Sequence, residues 1–137
     1  MSEKLNQCCE RLKAEIKTAE SSIEQASHHL ASATEQGVDA LEVRLNETVA
    51  KCDEKREYAT AAAGRLKQFI EEKKSDALTK LEDWKTDREI SKIEKHADRL
   101  EQQAVDAVVV AAYALLEAEV AIVEALRARR LAIDVAG

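Results

Sequence analysis

The sequence predicts an all-α protein, an antiparallel bundle of three long helices with coiled-coil-like heptad seams. Three observations carry that expectation. No proline occurs among the 137 residues, where average usage of about 5% would supply about seven. Charged residues make up 35% and aromatic residues 3%, in a mixture rich in Ala, Glu, Lys, Leu and Arg that belongs to long helices. Apolar residues recur at alternating steps of three and four along most of the chain, the period of one helix face. Glycine is confined to Gly37, Gly64 and Gly137, so turn punctuation is missing over spans longer than any strand. At this length a single domain, residues 1–137, is expected.

The first helix is expected over about 3–36. Ser2 suits an N-cap and Glu3 complements the dipole in the first turn. The seam reads Leu5, Cys9, Leu12, Ile16, Ala19, Ile23, Ala26, Leu30 and Ala33, with polar residues between, so one narrow face is buried. Gly37 stands where a C′ residue belongs, which puts the first reversal at Glu35–Val38.

The second helix is expected over about 38–84, along Leu45, Val49, Cys52, Ala59, Ala63, Leu66, Ile70, Ala77, Leu81 and Trp84. Its small-residue stretch Ala59–Gly64 either reflects helix propensity alone or lets another helix approach closely. Ser75 could cap a separate short helix, Asp76 to Trp84, and a break there would give four helices.

The third helix is expected over about 87–132. Thr86-Asp87-Arg88-Glu89 matches a capping box, so the second reversal is expected at Asp83–Thr86; Ser91 would start the helix a turn later. Arg127, Arg129 and Arg130 fall in its last turns, and Ile133 to Gly137 is expected to fray. From Ala104 to Leu126 it carries two apolar stripes. One is Ala104, Val108, Ala111, Leu115, Ala118, Ile122 and Ala125. The other is Val105, Val109, Ala112, Leu116, Val120 and Val123. Together they make it apolar around about 200°, where an ordinary amphipathic helix has a stripe of about 100°.

Antiparallel pairing places residue i of the first helix opposite about 74 − i of the second, and residue j of the second opposite about 173 − j of the third. The smallest part of the second helix then meets Val109, Val110 and Tyr113, large against small. Beyond about residue 70 the second and third helices would project as a hairpin longer than the first helix.

A three-helix bundle cannot cover both stripes of the third helix. An apolar patch of that size on a monomer marks an interaction site. The expected solution is a homo-oligomer, a dimer above all, whose interface is Val105, Val109, Ala112, Leu116, Val120 and Val123 about a two-fold axis; the alternative is that the third helix sits fully inside a compact four-helix bundle, with the second broken at Ser75. Trp84, by the second reversal, either caps the small core of the hairpin or anchors an unidentified protein partner.

No enzymatic chemistry is expected, and no catalytic, cofactor-binding or metal-ligating residues are assigned. His28 and His29 are neighbours on a helix, about 100° apart, and cannot hold one ion together as an i,i+4 pair can. His28 and His96 are exposed enough for phosphotransfer but lack surroundings for a phosphoryl group. Cys9 and Cys52 lie on seams as small buried hydrophobes, while Cys8 lies off the seam as the reactive thiol. Two internal glycines cannot build a phosphate loop. The net charge of −6 argues against nucleic acid. The longest charge-free run, Ala107 to Leu116, is too short for a bilayer. No signal-peptide or myristoylation pattern opens the sequence, and an odd number of cysteines favours a reducing, cytoplasmic setting.

The function expected is therefore that of a non-enzymatic interaction or scaffold protein, self-associating through the third helix. A carrier or sensor holding an apolar small molecule in the bundle core is the alternative. Peripheral binding to a membrane or apolar particle ranks below both, because Asp106, Glu117, Glu119 and Glu124 are acidic where interfacial helices carry Lys and Arg.

Overall fold

The computed structural model describes residues 2–31, 35–72 and 77–136. They form four helices, α1 (Glu3–Ala31), α2 (Glu35–Glu72), α3 (Ala77–Thr86) and α4 (Ile90–Ala136), with no strand among the described residues. Two helices thus occupy the span of the second expected helix, as the alternative with a break near Ser75 has it. Ser75, Ala33 and the side chains of His29, Leu30 and Ala77 lie outside the described residues.

Ser2 caps α1: its Oγ accepts the Leu5 N–H at 3.1 Å and its carbonyl accepts the Asn6 N–H at 3.0 Å, leaving fewer orphan donors in the first turn. Gly37 does not close α1, because α2 already begins at Glu35 and includes it. The capping box at Thr86 is not formed either. Thr86 is the last residue of α3, and its Oγ1 donates back to the Glu82 carbonyl at 2.9 Å, the competing local bond open to a threonine hydroxyl. The turn is closed by Arg88, at φ 53°. The Glu89 N–H donates to the Trp84 carbonyl at 2.8 Å and the Arg88 N–H to that of Lys85 at 3.3 Å. This is a Schellman closure with arginine in the left-handed position that glycine usually takes. At the other end α4 continues through Ala136, past the expected fraying point.

The helix α4 is the centre of the molecule. Both α1 and α2 pack mainly against it and far less against each other, and α3 packs on its first turns. Lys4 reaches Gln102 and Ser22 reaches Glu119, so α1 runs parallel to α4. Arg65 meets Asp106, Arg56 meets Tyr113 and Arg127 meets Glu42, so α2 runs opposite to α4. Two apolar clusters result. Val109 packs on Ala59 and Ala62, flanked by Val110 and Tyr113. Toward the α1–α2 end, Val123 packs with Ala26, Leu41 and Leu45, flanked by Val120 and Leu126.

The buried faces of α1 and α2 are turned by one residue from the expected seams at several levels. In α1 the buried line passes through Cys8, Ala19, Ser22 and Ala26, while Cys9 is exposed and Ile16 is 42% exposed. In α2 it passes through Leu41, Leu45, Thr48, Cys52, Ala59 and Ala62, while Val49, Ala63 and Ile70 lie on the solvent side. The turn brings Ser22 and Thr48 to the level of Glu119, a buried carboxylate that requires donors. Its cost is apolar surface left in water at Ile16, Val49 and Ile70.

Candidate functional site

The six residues of the expected oligomer interface face inward. Val109 is 4% exposed, Ala112 3% and Val123 0%, and Val105, Leu116 and Val120 are half-buried. They pack mainly against α1 and α2 of the same chain, so much of that stripe as drawn from the sequence is covered within the chain. The physical reason is the position of α4 between two helices, each taking one side of it.

What remains open on α4 is its third side. Ala107, Ala111, Ala114, Ala118, Ala121, Ala125, Ala128 and Ala132 repeat at alternating steps of four and three. All are exposed except the half-buried Ala111. At about 100° per residue their mean direction lies roughly opposite Val123 and Ala112, away from both neighbours. The stripe is about 38 Å long at 1.5 Å per residue. Large apolar side chains border it, with Ile122 36% and Leu131 41% exposed and Leu115 and Val110 half-buried. A search for the heptad period alone, restricted to alanine, finds this face; attention to Val and Leu conceals it.

The sequence reading also missed two buried carboxylates. Asp106 is 1% exposed and is held by Arg65, whose Nε and Nη2 donate at 3.1 and 2.9 Å to its two oxygens. The hydrogen bond to Asp106 raises the Arg65 guanidinium above its already high ordinary range. Glu119 is 8% exposed and accepts from the Ser22 hydroxyl. Ser22 in turn accepts from Arg44 Nε at 3.1 Å, and Arg44 Nη1 donates to Gln25 at 2.8 Å. Thr48, buried at this level, donates to the Arg44 carbonyl at 2.8 Å. The strict step of four and three from Val109 through Ala112 and Leu116 lands on Glu119, not on Val120, and that is the signal that could have found it.

This polar layer floors a groove of about 390 Å³ between α1 and α2, walled by Lys17, Ser21 and Gln25 on one side and by Arg44, Glu47 and Lys51 on the other. Its hydroxyl is engaged both as donor and acceptor, so it is not poised as a nucleophile. The layer lies between the two apolar clusters and ties α1 to α4 through Ser22 and Glu119 and α2 to α1 through Arg44 and Ser22.

Cys8 and Cys9 exchange their expected roles, while Cys52 is buried as the seam implies. Cys8 and Cys52 are buried and Cys9 is exposed; all three are free thiols. Burial pushes the Cys52 thiol up, helped by Glu117 and Asp53, which lowers its thiolate fraction at any working pH. Maleimide at pH 7.5 is expected to modify Cys9 at least about tenfold faster than Cys8 or Cys52, as read by peptide mass mapping; Cys8 reacting as fast as Cys9 would contradict the placement.

His28 is exposed on α1 and His96 lies on α4 under Trp84, with ring centroids 5.7 Å apart and planes at 72°. Trp84 is half-buried. Among the described residues no His, Cys, Asp and Glu side chains gather into a metal-binding group, and no helix is long and apolar enough to cross a membrane.

No family model matches this chain, and neither a curated protein nor a solved structure is significantly similar to it.

Proposed function

We propose that this chain is a non-enzymatic helical interaction protein that self-associates, preferentially as a dimer, through the alanine face of α4. The observation that carries the reading is the helix at the centre of the fold, covered on two sides and bare on an alanine third. Side chains of one carbon let two helix axes approach to about 8 Å, and the bordering Leu115, Ile122 and Leu131 add apolar area at the edges. Surface area supports it. The chain exposes 9561 Å², where a compact monomer of 15.2 kDa would expose about 7,100 Å². That excess reflects the elongation of the chain as well as any uncovered face, and an interface of about 1,200 Å² would bury about 600 Å² of each copy. Charge at the borders favours a parallel pair: Glu124 then lies near the partner's Arg129, whereas an antiparallel pair opposes Glu117 to the partner's Glu124.

Light scattering is expected to give twice the chain mass. In Ala118→Arg/Ala121→Arg two cations would be forced into the interface, so the dimer is expected to dissociate with helicity unchanged. A wild-type monomer at about 100 μM, a hundredfold above a micromolar dissociation constant, sinks the proposal.

The carrier alternative has weaker support, because the groove between α1 and α2 is open and lined by charged residues. Membrane binding is disfavoured by Glu117 and Glu124 at the edge of the exposed face.

A further inference from the structure

We propose that Trp84 and the basic side chains beside it form a docking site for an acidic peptide segment of a protein partner. The surface lies on the α3–α4 hairpin, independent of the alanine face, and it is lined by Trp84, Lys92, Lys95, His96 and Arg99 around a pocket of about 270 Å³.

Helix geometry sorts the charges of this segment. At 100° per residue, Lys92, Lys95 and Arg99 share one side of α4, and Glu94, Asp98 and Glu101 are centred roughly 130° away. A chain with a net charge of −6 therefore carries a locally cationic surface. Screening over about 8 Å at physiological ionic strength lets that surface act separately from the distant acids. Lys92 is paired with Glu89 at 2.6 Å, whereas Lys95 and Arg99 form no ion pair among the described residues. Lys80, exposed one turn before Trp84 on α3, extends the same side.

The aromatic decides the kind of anion. Trp84 is held edge-on against His96 at 5.7 Å, and its own carbonyl closes the α3–α4 turn by accepting the Glu89 N–H. The closure fixes the Trp84 backbone and the ring contact with His96 restrains the indole, which limits the entropy lost when a ligand covers it. Tryptophan flanked by cations is a hot-spot combination for a partner that offers one apolar side chain between carboxylates. From Lys92 to Arg99 is about 10 Å along the helix, the reach of three or four residues of extended peptide. A single-stranded nucleic acid would instead use several aromatic platforms for successive bases, and the pocket has one.

Trp84 is the only tryptophan of the chain, so its emission, excited at about 295 nm, reports the site directly. The probe is the peptide Glu-Glu-Leu-Phe-Glu-Glu, with Gln-Gln-Leu-Phe-Gln-Gln as its uncharged control and an oligothymidylate of equal charge as the competitor class. The acidic peptide is expected to alter Trp84 emission with saturation. Its affinity is expected to fall about fivefold or more when sodium chloride is raised from about 50 to 300 mM. In Lys95→Glu/Arg99→Glu, both positions being exposed, affinity is expected to fall at least about tenfold with the thermal melt unchanged. Calorimetry on Trp84→Phe separates loss of the indole from loss of its signal, and weaker binding is expected there too. No saturable change up to about 1 mM peptide, the millimolar floor of specific recognition, overturns the proposal. So does equal binding of the glutamine control, undiminished binding by the charge-reversed variant, or tighter binding of the oligonucleotide.

Discussion

Val109→Lys is expected to destabilise the bundle strongly, whereas the exposed Ala118→Arg/Ala121→Arg pair only separates two copies. Val109 is 4% exposed and packs on Ala59 at 4% and Ala62 at 0%. Two alanines leave it no longer side chain to displace. A lysine there has to strip water from its ammonium or push α2 off α4, and a stranded buried charge of this kind belongs to the few changes that cost more than about 4 kcal/mol. For a chain of this size the melting temperature should drop by roughly 10 °C or more, as seen by circular dichroism. Val109→Ile, which conserves character and adds one methylene, should shift it by a few degrees at most. A folded, cooperative Val109→Lys that merely changed oligomeric mass would return the interface to the stripe drawn from the sequence and refute the packing described here.

The helical nature of the chain is legible in its composition and period, because neither needs tertiary information. The ends of the helices are less legible, and two residues explain why. Thr86 satisfies the capping-box pattern, but its hydroxyl bonds back to Glu82, so α3 runs two residues further, to Thr86. Arg88 takes the left-handed position in which sequence reading looks for glycine, so the stop signal is silent. A local pattern states which bonds are available; competition among them is settled by the helix on either side.

The candidate surfaces were half legible, for a different reason. Stripe analysis reports how much of a helix is apolar, not which part its own chain will cover. Choosing Val120 over Glu119, Ile16 over Glu15 and Val49 over Thr48 follows hydrophobicity at each step, and each choice turns the buried face toward the aliphatic neighbour. In the folded chain Ser22 gives the buried Glu119 a donor, and Thr48 bonds back to the Arg44 carbonyl at the same level, a gain set against the apolar area lost at the margins. That gain is invisible until the three helices are side by side. The alanine face of α4 was open to view in the sequence, yet an alanine stripe reads as propensity unless the sides already occupied are known.

Removing Arg65 while keeping Asp106 is the second change with a large expected effect, and it tests whether the buried ion pair is retained for stability or for register. The Asp106 carboxylate is 1% exposed, with Arg65 on both oxygens and Gln102 at 3.5 Å from one of them. Arg65→Met leaves that carboxylate buried without its cation, and the melting temperature should fall by roughly 5 °C or more. Arg65→Met/Asp106→Leu removes both desolvated partners and fills the space with apolar side chains, so it should recover most of the loss and can exceed wild type. Register is read separately, by a spin-label pair at Lys67 and Ala97, exposed positions on α2 and α4 outside the alanine face. If the double variant is stable and keeps the wild-type distance, the apolar clusters at Val109 and Val123 align α2 unaided. If it is stable but the distance broadens or shifts by one turn, about 5 Å, the Asp106–Arg65 pair is what selects the level at which the two helices meet. A double variant as unstable as Arg65→Met alone would mean that the pair contributes net attraction beyond the relief of burial, contrary to the expectation for a carboxylate whose partner stands half in water.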